Sequence, residues 1–65
     1  MNLKIGDNLE SCGTRLEVVE VGAGNFGTTP LARISYPDYG GAVDPAWYSV
    51  DWLAMMGWRK VEKGA

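Results

Sequence analysis

Histidine is absent from this sequence, and cysteine occurs only once, at Cys12. A single cysteine cannot form a disulfide within the chain, and without histidine a zinc site would have to use carboxylates alone. Cys12 also has no base beside it in the sequence, and Glu10 would oppose a thiolate, so we interpret it as a structural or merely exposed thiol. The sequence therefore predicts no catalytic residue, no metal site and no cofactor.

Basic residues and long apolar runs are also scarce. Six lysines and arginines stand against eight acidic residues, which gives a net charge of −2, and the basic residues are scattered. Nucleic-acid-binding proteins normally carry a basic stripe, so the composition argues against DNA or RNA as the main partner. No apolar run approaches the roughly 18 residues of a membrane span, and the N-terminus lacks the apolar region of a signal peptide. With the lone thiol, these features predict a cytoplasmic protein without a membrane anchor.

Aromatic residues, by contrast, are concentrated in residues 46–58, which hold all three tryptophans and two of the three methionines. Buried rings of this size remove about 150–250 Å² each from water, so we expect the core to form here, with Trp52, Leu53 and Trp58 inside it. The 65 residues make a single domain spanning 1–65. A chain so short hides only about 60% of its unfolded surface. We therefore expect a marginally stable monomer or a homodimer.

Strand-like runs precede this aromatic stretch. Residues 3–9 open with an apolar alternation and a turn, and 31–36 place Ala32, Ile34 and Tyr36 on one face. The β-branched run 15–21 is the clearest strand, bounded by glycines. Its alternation is imperfect, which indicates either a bulge near residues 18–19, turning both apolar pairs inward, or burial on both faces.

Glycine-rich segments separate these runs. Gly22, Gly24 and Gly27 match the spacing of a dinucleotide-binding fingerprint, but that motif requires a helix to follow and here a strand-like run follows. We therefore interpret 22–30 as a hairpin loop. Residues 37–45 form a second long loop, rich in turn-forming residues, in which we expect Tyr39 to be exposed.

The aromatic stretch itself allows two interpretations. Asp44, Pro45 and Gly57 could delimit one helix over 45–56 on an antiparallel sheet, an α+β fold. We favour the second, in which a short strand ends near Ser49 or Val50 and a single helical or 3-10 turn follows over 51–56. Gly57 then closes the turn in the left-handed conformation, and residues 58–62 form the last strand.

This second layout predicts an all-β fold, a small five-stranded barrel with one helical turn before the last strand. Residues 5–9, Ile-Gly-Asp-Asn-Leu, resemble the hydrophobic-Gly-Asp-x-hydrophobic entry of many SH3-like barrels. The order of strand, helical turn and strand at 50–61 is similar to their C-terminal halves. The resemblance implies an SH3-like barrel over most of the chain.

SH3-like barrels include several functional classes. We favour a non-enzymatic module that binds another protein, and its composition resembles that of small accessory proteins of phages and mobile elements, some of which block a host enzyme. One alternative is a nucleic-acid- or RNA-polymerase-associated barrel. Another is an oligomeric barrel similar to the type II dihydrofolate reductases, although residues 47–50, Trp-Tyr-Ser-Val, differ at every position from the pore segment of that family.

The binding surface is predicted from aromatic residues that a small core does not need. Tryptophan and tyrosine are enriched at the energetic centres of protein interfaces. The predicted protein-binding residues are Phe26, Tyr36, Tyr39, Trp47 and Tyr48. Asp38, Asp44 and Asp51 surround the same region and could form an acid–base pair, but turn and capping roles explain two of the three.

Overall fold

The computed structural model describes residues 2–24 and 29–61. These residues form a mostly antiparallel sheet of six strands and one short helix. In chain order the elements are β1 (Asn8–Ser11), β2 (Thr14–Ala23), β3 (Pro30–Tyr36), β4 (Ala42–Val43), β5 (Tyr48–Ser49), α1 (Val50–Met55) and β6 (Arg59–Val61). A single 3-10 turn, Pro37–Tyr39, lies between β3 and β4.

The strands pair in the order β4-β3-β2-β1-β6. β5 pairs with the same edge of β3 as β4 does, but β4 lies opposite Ser35 and Tyr36, whereas β5 lies opposite Leu31 and Ala32. A mostly β fold with a short helical turn before the last strand is thus confirmed. There are six strands rather than five. The additional strand is β4, which lies inside the predicted loop 37–45 and pairs with Ser35 and Tyr36 of β3. Within the described residues no ladder joins β6 to β4 or β5, so the sheet is not closed and the barrel stays a prediction.

The long ladder between β2 and β3 contains the predicted bulge. Its register shifts between Val18 and Glu20, so Val18 lies opposite Ile34 and Glu20 lies opposite Arg33. Leu16 and Val18 are completely buried, but Val21 is exposed. The expectation that the bulge turns both apolar pairs inward is therefore wrong at Val21. Val21 instead lines a cleft with Leu3 and Val50.

The entry segment, residues 5–9, is attached to the sheet at two places. The N–H of Gly6 donates to the carbonyl oxygen of Val18, and the N–H of Val18 donates to the carbonyl oxygen of Asp7, both at 2.8 Å. The Asp7 carboxylate accepts the N–H of Lys4 at 2.8 Å and lies 3.3 Å from the Lys60 ammonium on β6. The N–H of Lys4, and next the Lys60 charge, lower the pKa of Asp7.

A two-residue turn joins β1 to β2. Cys12 and Gly13 both have positive φ, +51° and +80°, as a type I′ hairpin turn requires. The Cys12 side chain is exposed at this tip. This placement agrees with the interpretation of Cys12 as an exposed thiol in a turn.

The aromatic stretch follows the strand-and-turn interpretation, and the alternative of one helix over 45–56 is wrong. Residues 48–49 form β5 and pair with β3 opposite Leu31 and Ala32, so they are not helical. The Ser49 side chain then accepts the N–H of Trp52 at 3.3 Å, which caps α1. Gly57 ends the turn with φ +92°, as predicted.

The core is aliphatic, contrary to the expectation that it surrounds the indole rings. Its fully buried members are Leu9, Leu16, Val18, Ala32, Ile34, Val50 and Leu53. Trp58 is half-buried against this cluster, but Trp52 is 40% exposed, so its prediction as a core residue is wrong. Val50 and Leu53 lie three residues apart on the inward face of α1, which turns Trp52 away from the core.

Stability should therefore depend on Leu53 and not on its exposed neighbour in the same helix. We expect Leu53→Ala to lower the free energy of unfolding by about 2–5 kcal/mol, because it removes a buried side chain and leaves a cavity. Met55→Ala, at a position that is 75% exposed, should change it by less than about 0.5 kcal/mol. Urea unfolding followed by circular dichroism measures both, and equal effects would contradict the core described above.

Candidate functional site

Two tyrosines meet where β3 ends. Tyr36 is the last residue of β3, and Tyr39 is the last residue of the 3-10 turn that follows. Their ring centroids are 6.2 Å apart with an interplanar angle of 73°, an edge-to-face arrangement. Gly40 and Gly41, at φ +80° and +73°, then turn the chain back into β4. Tyr36 is half-buried and Tyr39 is 70% exposed, which confirms the expected exposure of Tyr39.

A salt bridge ties this turn to the sheet. The Arg15 guanidinium on β2 lies 3.5 Å from the Asp38 carboxylate, and both side chains are about half exposed. The pair is open to solvent, so it contributes little to stability. It links β2 to the turn that bears Tyr39.

A second aromatic pair lies where β5 becomes α1. The rings of Tyr48 and Trp52 stack at 5.5 Å with an interplanar angle of 22°. The Tyr48 hydroxyl donates to Oδ2 of Asp44 at 2.5 Å, and the N–H of Ala46 donates to Oδ1 of the same carboxylate at 2.8 Å. The N–H of Asp44 donates to the carbonyl oxygen of Ile34 at 3.0 Å. Asp44 therefore holds the Tyr48 ring against Trp52 and fastens both to β3.

The hydrogen bond between Tyr48 and Asp44 shifts the pKa values of the two groups in opposite directions. The Tyr48 hydroxyl, and next the N–H of Ala46, lower the pKa of Asp44 by stabilising its charged form. The hydrogen bond to Asp44, and next burial, raise the pKa of Tyr48 to about 12. At neutral pH the pair is a phenol donating to a carboxylate, the stronger kind of hydrogen bond.

The two aromatic pairs belong to one surface. Tyr48 is paired with Ala32, and Tyr36 lies on the same face of β3 as Ala32, so both tyrosines lie on the core face of the sheet and pack against the core cluster. We call this surface the aromatic row: Tyr39, Tyr36, Tyr48 and Trp52. Three of the five predicted binding residues lie in it.

Trp47 lies on the opposite face of the sheet. Its ring covers Gly22, where a Cβ would approach the indole to 3.3 Å, and the Arg33 guanidinium is 6.0 Å from the ring centroid. Arg33 in turn bonds to Glu20 at 2.8 Å. Gly22 is paired with Leu31 on one face of the sheet, whereas Tyr48 is paired with Ala32 on the core face. The Trp47 ring, which covers Gly22, therefore lies on the other face from Tyr48.

Phe26, the remaining predicted residue, lies outside the residues that the structure describes. Sequence reasoning also missed three members of the exposed surface: Trp52, Met55 and Met56. The signal that could have found them is their spacing. They lie at i, i+3 and i+4, which places them on one side of α1, away from Val50 and Leu53.

Two of the three carboxylates near the row have structural partners. Asp38 pairs with Arg15, and Asp44 binds Tyr48 and Ala46. Across residues 2–24 and 29–61 no group of three or more cysteine, aspartate or glutamate side chains is placed to hold a metal ion. A cleft of about 500 Å³ lies elsewhere, lined chiefly by Leu3, Val21, Leu31 and Val50, with Lys4 its one charged lining residue. Near the row, side chains can make apolar and aromatic contacts beside acidic groups.

Comparison with protein-family models, with curated proteins and with solved structures yields no match. Within the described ranges, no helix is long and apolar enough to cross a membrane. The case for function thus depends on the geometry of this surface.

The Asp44–Tyr48 bond should make stability depend on pH at both extremes. Because the folded pKa of Tyr48 is about 12 against about 10 unfolded, its contribution is complete below pH 10 and is lost as the pH rises towards 12. Because the pKa of Asp44 is lowered below 3.8, its contribution is present above that value and is lost as the pH falls below it.

We expect Tyr48→Phe to lower the urea midpoint at pH 7 and to flatten the alkaline loss between pH 10 and 12. The loss of stability at acid pH should become smaller as well, since only the hydrogen bond from the Ala46 N–H to Asp44 remains. Tyr39→Phe is the control, because its ring is exposed and makes no hydroxyl hydrogen bond within the described part of the chain. Identical alkaline profiles for wild type and Tyr48→Phe would contradict this assignment.

Proposed function

We propose that this chain is a non-enzymatic module that binds another protein through the aromatic row. The observation that carries the proposal is the Tyr48–Trp52 stack, which Asp44 holds in place and which leaves Trp52 40% exposed. A large indole that is ordered yet uncovered is typical of an interface anchor.

Preorganisation supports the same proposal. Binding normally loses free energy when interface side chains become ordered, about 0.5–1.5 kcal/mol for each flexible one. Here the Tyr48 ring is fixed by its hydroxyl, Trp52 by stacking, and Tyr39 by its contact with Tyr36. Most of the conformational entropy of this surface is therefore already lost when the chain folds, before a partner binds.

The use of nearby polar groups supports a binding role over catalysis. Asp38 and Asp44 are engaged by Arg15 and Tyr48, and the lowered pKa of Asp44 makes it a weaker base. Cys12 lies in the β1–β2 turn, on a different element from the row. We therefore propose no reaction for this chain.

The strand order also supports an SH3-like barrel as the architecture of the module. The meander β1-β2-β3-β4, with β6 added beside β1 and a short helix just before it, is the layout that the entry motif at residues 5–9 implies. We place the module in the cytoplasm. The compositional likeness to phage and mobile-element accessory proteins makes a protein of the host cell the first partner to test.

The proposal is tested by affinity capture from a nuclease-treated lysate of the host cell. We expect wild type to retain a partner that Tyr39→Ala loses, because Tyr39 is the most exposed ring of the row and, among the aromatic residues that the structure describes, contacts only Tyr36. Trp47→Ala is the matched control, an exposed aromatic residue on the opposite face, and should retain the partner.

Folding of each variant is checked by circular dichroism, and purified partner and chain are then compared by calorimetry. We expect the dissociation constant to rise at least tenfold for Tyr39→Ala and less than threefold for Trp47→Ala. If Tyr39→Ala keeps every partner, the aromatic row is not the binding surface. Affinity that falls steeply with salt would instead favour a nucleic-acid-associated barrel.

A further inference from the structure

An open cleft of about 500 Å³ lies where the ladder between β2 and β3 ends, and it shares no residue with the aromatic row. Its apolar walls come from four separate parts of the chain: Leu3 before β1, Val21 of β2, Leu31 of β3 and Val50 of α1. Val50 is only 2% exposed and belongs to the core, whereas Val21 is 41% exposed. The cleft therefore leads from solvent to the margin of the core, and its volume is that of a small-molecule site.

The charge at this cleft has one sign. Of the eight described residues that line it, Lys4 alone is charged, and Asn2 has the one other polar side chain. The Lys4 ammonium makes no salt bridge with any carboxylate in 2–24 or 29–61. Asp7, the acidic residue of the same segment, is engaged by Lys60 at 3.3 Å. In a chain whose net charge is −2, the cleft therefore combines apolar walls with an available positive charge.

We propose that this cleft binds a small aliphatic carboxylate, with its carbon chain against Leu3, Val21 and Leu31 and its charge beside the Lys4 ammonium. A lysine ammonium is a compact single charge, so it balances a carboxylate, whereas a phosphate group near neutral pH carries close to two negative charges. Burial of the carbon chain and of the exposed part of Val21 removes apolar surface from water, which drives binding.

The lining also selects against a peptide. A peptide brings a backbone N–H and C=O at nearly every residue, and each of these groups loses free energy when it is buried without a partner. The side chains of the four apolar wall residues offer no hydrogen bond, whereas a carbon chain requires none. A free acid therefore suits the cleft better than the carboxyl terminus of another protein.

Three probes with the same carbon chain test the proposal: octanoate, 1-octanol and octylammonium, each added to the whole chain below the concentration at which it forms micelles. Calorimetry measures the affinity, and amide NMR shifts locate the site. We expect octanoate to bind tightest and octylammonium weakest, with the largest shifts at Leu3, Val21 and Leu31. Lys4 is exposed, so its charge should change the affinity by a factor of about two to five, as for other solvent-exposed pairs.

Two variants separate charge from apolar contact. Lys4→Gln should weaken octanoate binding about two- to fivefold and leave 1-octanol binding unchanged. Arg59→Gln is the matched control, because it removes an exposed charge of β6 outside the cleft, and it should change neither affinity. Val21→Trp should weaken both probes by about tenfold or more, because the indole occupies space that the carbon chain needs. Circular dichroism checks folding, and the amide shifts of wild type locate the site even if Val21→Trp does not fold.

Each other outcome overturns the proposal. Absence of octanoate binding, or equal affinities for the three probes, shows that Lys4 and the cleft do not select an acid. Shifts centred on Tyr39 or Trp52 show that the carbon chains prefer the aromatic row, and tighter binding of acetyl-leucyl-leucine than of octanoate assigns the cleft to a peptide. Failure here leaves the proposed function standing, since Tyr39→Ala should lose the captured partner and still bind octanoate as wild type does.

Discussion

The ladder between β2 and β3 is the constraint around which the other elements of the described chain are arranged, with β6 attached through β1. It contributes Leu16, Val18, Ala32 and Ile34 to the core, more than half of its seven members. β1 pairs with one side of this hairpin, β4 and β5 pair with the other, and α1 supplies Val50 and Leu53 to cover the buried face. Even the entry turn at Gly6 bonds to Val18, next to the bulge. A change that shifted this register would displace all of these contacts together.

The features that sequence predicted well are those fixed by local backbone chemistry. Gly57 ends the helical turn because a left-handed residue is needed there, and the bulge near Val18 follows from an alternation that a regular strand cannot satisfy. Burial of Trp52 was predicted wrongly because hydrophobicity alone does not say which side of a helix faces inward. With Val50 and Leu53 occupying the inward side, and aliphatic residues filling the core, no space was left for the indole. That volume limit is a property of the folded chain, not of any local pattern.

The site was predictable in composition but not in arrangement. Aromatic residues in excess of core needs predicted a surface. Tyr36 contacts Tyr39, and Tyr36 and Tyr48 both pack against the core cluster, while their role in binding stays a prediction. The separation of Trp47 from Tyr48 follows from strand alternation once the register with Ala32 is known. The role of Asp44 could not be predicted from the sequence, because it depends on a loop in which the Asp44 N–H bonds to the carbonyl oxygen of Ile34 while the carboxylate accepts the Tyr48 hydroxyl. The bond to Ile34 joins distant positions on the chain and leaves little trace in residue spacing.

The aromatic row and the outward side of α1 share Trp52, yet their side chains differ in freedom. A hydrogen bond and two ring contacts hold the row, and rigid aromatic surfaces favour a partner of matching shape, so the proposed contact with another protein is assigned to the row. On the outward side of α1, Met55 and Met56 are 75% and 54% exposed, and their unbranched side chains adjust to many shapes. Both follow from the rotation of α1 that buries Val50 and Leu53, since the same rotation turns Trp52 towards Tyr48 and the methionines towards solvent.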